Sequence, residues 1–368
     1  MPWDDSDFAE FYARVEPATS VTYRGYQVYK QGFNSQGPSM LQSLNILENF
    51  DLQAMGHNSA DYLHVVTEAM KMGYADRDTY YADPAFVDVP QTGLLSKAYA
   101  KQRAGQIDMA KAQPDQIAGD PLPFDDKVKE WKFWRAGRRP EGAPVSEARR
   151  SAEGAKEGGL MQPGDEDHSL KDTTHIAIID KAGNVFDSTP SGGWITGGVI
   201  AGNTGIGLSI RGEQFWLDRD RASQLRPRSR PRYTLTPSLV LKNGEPFLAL
   251  GTPGGDNQEQ TILQALLNVI EFQDKWYPNL HAAFELPRLQ TFHFFGSFWP
   301  HRIDANRLDL ETGIAPEVFE SLKTRGHDVR MVAPFSISGC ATAVMIDLRT
   351  GTRLAGADPR RDCYASAY

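Results

Sequence analysis

The stretch from Asp172 to Gly193 constrains this chain more than any other. It reads Asp-Thr-Thr-His-Ile-Ala-Ile-Ile-Asp-Lys-Ala-Gly-Asn-Val-Phe-Asp-Ser-Thr-Pro-Ser-Gly-Gly. His175 to Ile179 is apolar and β-branched, and Val185 to Thr189 is a shorter run of strand-forming residues. Lys181-Ala182-Gly183-Asn184 between them is turn chemistry, so the spacing predicts a β-hairpin. The segment before it, Arg135 to Leu170, is rich in Gly, Pro, Ser, Glu and Arg. Such a segment cannot bury enough surface to order itself. The expectation is a mobile connector that ends in Asp-Thr-Thr and runs straight into a buried strand.

That junction has a chemical use. A Thr hydroxyl alone is a weak nucleophile and needs a base. Cutting the chain between Asp172 and Thr173 makes Thr173 an N-terminus, whose α-amine has an ordinary pKa of about 8. Nucleophile and base then share one residue, the logic of a self-cleaving N-terminal nucleophile hydrolase. Taken alone, Asp-Thr-Thr-His also fits an ordinary strand Thr, since Thr is favoured in strands.

The wider motifs change that balance. Asp172-Thr173-Thr174-His175 is followed by Asp180-Lys181, Gly183-Asn184 and Gly202 with Gly205. Then come Arg230-Pro231, Leu235-Thr236-Pro237-Ser238, Gly251-Thr252-Pro253-Gly254-Gly255 and Ala357-Asp358-Pro359-Arg360-Arg361. In order and spacing the set resembles the small subunit of the gamma-glutamyltranspeptidase family. Tyr23-Arg24-Gly25-Tyr26, Asn45-Ile46-Leu47-Glu48, Phe50-Asp51-Leu52 and Met55-Gly56-His57-Asn58-Ser59 look like its large subunit. Each motif alone is weak; the ordered set is specific.

The resemblance implies an α/β fold, a four-layer αββα sandwich with mostly antiparallel sheets. Strand hairpins followed by helices, rather than alternating βαβ units, fit this independently. It also implies a division at the cut: residues 1–172 as a large-subunit-like helical region with the connector, 173–368 as a small-subunit-like catalytic region. The implied activity is amide hydrolysis or acyl transfer, with Thr173 as nucleophile and Ser191 where the family has an orienting Thr hydroxyl. Gly254 and Gly255 match the family's oxyanion hole. A Gly-Gly loop opening a helix from about Glu259 also leaves free amides in a favourable dipole. No metal or cofactor is implied. The expected partners are a small-molecule amide or gamma-glutamyl substrate, the chain's own two fragments as a heterodimer, and a further copy as a possible homo-oligomer.

Two departures stand out. Family members usually carry a long segment before the equivalent of Tyr23-Arg24-Gly25-Tyr26, supplying strands and a carboxylate-binding Arg, and this chain has almost none. A non-catalytic remnant of the same fold is therefore the rival reading. The positions matching the family's glutamyl-binding set hold Gly193, Arg211, Gln214 and Tyr233-Thr234. The Asp that would pair with a substrate ammonium is missing, and a cation stands nearby. An Arg grips a carboxylate with two hydrogen bonds, so the expected acyl group is acidic and lacks a free α-amine.

The rest of the 368 residues adds limits. Acids exceed bases, for a net charge of -8, which argues against a nucleic-acid partner. No apolar run approaches the ~20 residues a membrane span needs. Met1 is followed at once by acidic residues with no signal peptide, so the expected location is cytoplasmic. With only Cys340 and Cys363, a disulfide framework is not expected, and no Cys/His spacing suggests a metal site. Helical spacing covers residues 5–14, 38–49, 59–81 with Ser59 as N-cap, 95–106, 259–273 and 316–326. Further hairpins are expected at 238–251, turning at Asn243-Gly244, and at 341–355. Asp76-Arg77-Asp78 reads as a charged helix end on the core, Trp131 to Trp134 as a loop anchor, and Arg219 to Arg232 as a solvated basic loop. His293 and His301, in an aromatic segment, read as structural.

Overall fold

The computed structural model describes residues 9–10, 12–137, 173–193, 199–200, 202–203, 205 and 207–367. Most of the expected connector, Asp172 and most of the helix expected over 5–14 lie outside the described residues; at the connector's start Arg135 donates to Tyr80 and the Ala136 amide to Thr79.

A six-stranded antiparallel sheet forms the middle of the molecule, in the order β1-β2-β5-β6-β10-β11. Its strands are β1 (Thr19–Tyr23), β2 (Tyr26–Lys30), β5 (Ser238–Lys242), β6 (Glu245–Gly251), β10 (Thr342–Ile346) and β11 (Arg353–Ala357). The chain therefore builds one sheet from segments on both sides of residue 172. The β5–β6 turn falls on Asn243 and Gly244, with φ of 53° and 83°. Those positive φ values at both turn residues suit an Asn-Gly hairpin turn.

Helices α1 (Gly37–Leu47), α2 (Ala60–Tyr80) and α4 (Asn257–Glu271) pack on one face of this sheet. Ser59 caps α2 as its spacing predicts, accepting from the Tyr62 amide at 3.1 Å. α1 and α2 approach closely at Gly73, where a Cβ would stand 2.8 Å from the Ser39 carbonyl oxygen. Leu41, Leu44, Val66, Leu250, Leu263 and Leu266 close the apolar layer between helices and sheet. Burial of such side chains contributes about 1.5–3 kcal/mol each.

The organising hairpin forms as expected, with β3 (Ile176–Ile179) and β4 (Val185–Ser188) pairing antiparallel. It lies on the other face of the large sheet, beside β6 and β10. Helix layer, six-stranded sheet and hairpin give an α-β-β succession, an α/β fold with mostly antiparallel sheets. The expectation of a fully buried strand needs correction. Ile176, Ile178 and Phe186 are 46, 50 and 55% exposed, because only one face of this two-stranded sheet is covered by described residues.

A smaller three-stranded sheet, β7 (Leu289–Thr291), β8 (Arg307–Glu311) and β9 (Asp328–Val332), contains the one parallel pair among the described strands. It follows α5 (Leu280–Glu285) and carries α6 (Pro316–Thr324) between β8 and β9; α3 (Lys97–Ala104) lies beside α1. Among the described residues, no helix is long and apolar enough to cross a membrane.

The last turn of α2 is the polar core. Arg77 is wholly buried; its Nε donates to Asp78 at 2.9 Å and its Nη1 to Asp256 at 2.7 Å. Arg77 Nη1 also donates to Gln36 Oε1 at 3.1 Å, and Nη2 to the Phe295 carbonyl at 2.7 Å. The basic loop expected to be solvated is instead pinned by its arginines. Arg221 lies between the Trp134 and Trp216 rings at 3.4 and 3.9 Å, Arg230 pairs with Asp83 at 2.9 Å, and Arg232 is buried. Aromatic faces and carboxylates elsewhere in the chain out-compete water there. Trp131 anchors its loop against Tyr80, ring centroids 4.8 Å apart, as expected.

Removing the Arg77 charge takes the nearest counter-charge from two buried carboxylates and leaves them the more distant Arg232. Arg77→Met is expected to lower folding stability by about 3–5 kcal/mol. Urea unfolding of the purified variant beside the parent checks this; a loss below about 1 kcal/mol contradicts it.

Candidate active site

Thr173 stands at the entrance to β3, and the Thr174 amide donates to the Pro190 carbonyl at 3.1 Å. That hydrogen bond brings the residues after β4 back beside the hairpin's start. As a result Thr173 Oγ1 donates to Ser191 Oγ at 2.8 Å. Ser191 Oγ also accepts from Arg211 Nη2 at 2.5 Å. A hydroxyl oxygen that accepts from a guanidinium is fixed in orientation, so Arg211 sets the direction from which Ser191 meets Thr173.

Arg211 opens a short 3-10 turn, Arg211–Gln214, that the hairpin itself positions: the Ile210 amide donates to the Gly192 carbonyl at 2.8 Å. Its Nη1 donates to Thr234 Oγ1 at 3.0 Å, and Gln214 Nε2 reaches the same oxygen at 3.4 Å. The Phe298 ring lies 5.4 Å from the guanidinium carbon. Thr173, Ser191, Arg211, Thr234 and Gln214 thus form one connected group.

Gly193 lies in the same wall with φ of 74°, and a Cβ there would come within 2.1 Å of Ile210 Cγ1. A side chain at 193 is therefore excluded by both backbone conformation and space. Tyr233 does not join the group. Its side chain lines a separate 360 Å³ pocket with Lys30, Asp187 and Arg230, because neighbouring residues in extended chain face opposite ways.

Gly254 and Gly255 occupy the loop between β6 and α4, with φ of 132° and 56°. Among the described residues neither amide donates to another protein group. Their carbonyls accept from the Asn257 and Gln258 amides at 3.0 and 3.2 Å, the turn that starts α4. Pro253 lines the same 760 Å³ cleft as Thr173. β3 reaches this loop by close packing: a Cβ on Gly251 would meet the His175 ring at 2.3 Å.

The polar core braces both halves of the group. Gln36 Nε2 donates to the Gly255 and Thr234 carbonyls, each at 2.9 Å. Gln36 Oε1 is held by Arg77, which also holds Asp256, the residue after Gly255. Burial alone would raise the Asp256 carboxyl, but Arg77 and Arg232 beside it hold it below the usual carboxylate range. The Ser297 amide donates to the same carboxylate at 2.8 Å.

Sequence reasoning missed His175. Its Nε2 faces Asp187 Oδ2 at 3.1 Å and its Nδ1 faces Thr342 Oγ1 at 2.5 Å. The Asp187 carboxylate accepts from His175 Nε2–H, and His175 Nδ1 shares a hydrogen with the Thr342 hydroxyl. Only the period-2 alternation from Thr173 could have flagged an inward His175. Also missed were His64, Glu68 and His327, buried with candidate ligand atoms within 4.8 Å of one another. Lys71 Nζ, 2.7 Å from Glu68, already supplies positive charge there, and the two imidazoles hydrogen-bond at 2.9 Å. The cluster ties α2 to the chain after α6. His293 and His301 act structurally, as expected: His293 accepts from the Asn306 amide, and His301 stacks on Trp216 at 3.9 Å.

A hydroxyl held by Ser191 and Arg211 at a strand start, and a glycine pair with unused amides at a helix N-terminus, are parts that acyl-transfer chemistry can use. The chain belongs to the gamma-glutamyltranspeptidase family, whose profile matches residues 2–368. It is similar to the glutathione hydrolase-like YwrD proenzyme of Bacillus subtilis (strain 168), 31% identical over 97% of this chain and 57% of the relative. It is 29% identical to the acylase ACY 1 proenzyme of Pseudomonas sp. (strain SE83), over 89% of this chain and 48% of the relative. Among solved structures it resembles the cephalosporin acylase from Bacillus halodurans, with a TM-score of 0.69 and 23% identity over 99% of this chain and 55% of that one. The chain spans about half the length of the curated relatives it matches.

The packing at Gly193 has a measurable consequence. Gly193→Ala is expected to cost about 1–3 kcal/mol of stability through strain and overlap. In the double variant with Ile210→Ala the losses are expected to add up to less than their sum. Full additivity in thermal or urea unfolding contradicts the contact.

Proposed function

We propose that this chain is an amide hydrolase or acyltransferase that cuts itself between Asp172 and Thr173 and then uses Thr173 as its nucleophile. The observation that carries this reading is the Thr173–Ser191–Arg211 hydrogen-bond chain at the start of β3, beside the Gly254-Gly255 loop. The freed α-amine takes the hydroxyl proton as the hydroxyl attacks the amide carbonyl. The amides of Gly254 and Gly255 receive the tetrahedral oxyanion, a contribution of roughly 3 kcal/mol per donor. Ser191 orients the nucleophile. Water or an amine then releases the acyl group. The "proenzyme" in both curated relatives' names supports self-processing, and "glutathione hydrolase-like" and "acylase" support amide chemistry. Cleavage leaves the 1–172 and 173–368 parts as an interlocked heterodimer, because β1 and β2 sit in the same sheet as β5 and β6.

The acyl group in this reading is acidic and without a free α-amine. Arg211 brings a cation within one hydroxyl of Thr173, in a wall shared with Thr234, Gln214 and Gly193. A cation there repels a substrate ammonium and attracts a carboxylate. A glutaryl amide or a short oxo-acid amide such as oxamate carries the charge this cation would take.

Two measurements test this reading. On a denaturing gel the parent is expected to give two fragments and Thr173→Ala one uncut, inactive chain; both running uncut overturns the self-cleavage. For selectivity, the parent is expected to hydrolyse glutaryl-anilide in preference to gamma-glutamyl-anilide. Arg211→Ala is expected to lower that preference on the order of tenfold or more, the effect of losing a bidentate charged contact. Using the ratio cancels any common effect of Arg211 on Ser191. Preference for the gamma-glutamyl compound, unchanged in Arg211→Ala, contradicts the assignment.

A further inference from the structure

Phe298 has no part in the chemistry proposed above. It belongs to the aromatic segment Phe292 to Trp299. Phe294 is buried in the core, whereas Phe298 is half-buried and reaches the site. Its ring centroid lies 5.4 Å from the Arg211 guanidinium carbon, within cation–π range. The same ring reaches the glycine loop: a Cβ placed on Gly255 would meet Phe298 Cε2 at 3.8 Å, ordinary van der Waals contact. One ring therefore stands against both the cation and the loop that opens α4.

Its two chain neighbours account for that placement. Ser297, before it, is tied to the residue after Gly255: the Ser297 amide donates to Asp256 Oδ2 at 2.8 Å, and Arg232 Nη1 donates to Ser297 Oγ at 2.6 Å. Trp299, after it, is tied to the Arg211–Gln214 turn: its amide donates to the Glu213 carbonyl at 3.0 Å. The Phe298 carbonyl accepts from the His301 amide at 2.8 Å, and the His301 ring stacks on Trp216. A residue whose neighbours are fastened one to each wall stands where the two walls meet. The ring is thus positioned by backbone bonds that do not depend on its own side chain.

We propose that Phe298 is the specificity-determining residue of the acyl pocket, and that the acyl group is a carboxylate on a short methylene chain, as in succinyl and glutaryl amides, rather than oxalyl. The inference rests on the acyl pocket proposed above. In that reading the amide carbonyl sits at the Gly254 and Gly255 amides and the carboxylate at Arg211. The chain joining those two ends runs beside a ring that stands against both. An aromatic face offers apolar contact and no strong hydrogen bond, so methylenes gain there. An oxalyl group has no methylene to lay on the ring and leaves it uncovered. Arg211 keeps its hydrogen bonds to Thr234 and Ser191 without the ring, so the grip on the carboxylate and the choice of chain are separable.

The test has one readout that needs turnover and one that does not, on the parent, Phe298→Ala and Phe298→Leu. The first is hydrolysis of glutaryl-anilide relative to oxalyl-anilide, which share the amine and the terminal carboxylate and differ in the chain. The parent is expected to prefer the glutaryl compound. Phe298→Ala is expected to lower that ratio roughly tenfold or more, the discrimination that methylenes in an apolar pocket give, and Phe298→Leu to keep most of it. A fall in both rates by one common factor, with the ratio unchanged, is what lost packing alone gives and overturns the assignment. The second readout is calorimetric binding of glutarate and oxalate. The parent is expected to bind glutarate at least tenfold more tightly, and Phe298→Ala to lose that difference. Equal binding of the two by the parent, or binding of neither, overturns the assignment. Absent turnover with the binding difference intact contradicts the role of Thr173 and leaves that of Phe298 standing.

Discussion

Arg77 carries a full positive charge where no water reaches it. A buried charge is tolerated only when it is paired and its donors are filled. Here Asp78, Asp256, Gln36 and the Phe295 carbonyl fill them. The consequence reaches the site through two short links. Asp256 fixes the end of the Gly254-Gly255 loop, and Gln36 ties both Gly255 and Thr234 to the same guanidinium. The glycine loop and Thr234 are therefore both braced by one charge at the end of α2. Breaking it leaves the carboxylates only the more distant Arg232 as counter-charge, so the arrangement has little freedom to drift.

On this rigid base the hairpin supplies the reacting side chain. Period-2 alternation turns His175, Ala177 and Ile179 toward the large sheet and Ile176 and Ile178 away from it. His175, held between Asp187 and Thr342, packs against Gly251 and fixes the height of β3 over β6. Thr173, two residues before His175, lines the same cleft as Pro253. The absence of a side chain at Gly193 lets Ile210 close in behind Ser191, and Arg211 follows at once in the chain. A guanidinium within one hydroxyl of the proposed nucleophile follows from this local packing.

Much of the fold was legible where local chemistry and long-range packing agree. The Asn243-Gly244 turn, the Ser59 cap and the alternation after Thr173 each specify their element without help from the rest of the chain. The β1–β2 hairpin was not read, because its turn, Arg24-Gly25, puts a non-Gly residue at φ of 49° where Asn is the usual signal. The short strands β7 to β9 were hidden by their length and by long loops between them. At the site, the hydroxyl and glycine positions followed from motifs. The role of Arg77 and Gln36 did not, because it depends on contacts across 41 and 219 residues of sequence. The pinned arginines of the basic loop were misread for the same reason: their aromatic partners lie elsewhere in the chain. Tyr233 matched the family's position but faces another pocket, which sequence spacing alone does not reveal.

The central claim is that the Thr173 hydroxyl carries the acyl group and its own α-amine serves as base. The most direct measurement traps that intermediate. The protein is mixed with an activated glutaryl ester, quenched in acid and digested, and the peptides are mapped by mass spectrometry. The account predicts a glutaryl adduct on a peptide whose first residue is Thr173. An adduct on any other residue, or a peptide that reads through from Asp172 into Thr173 while turnover proceeds, would contradict it.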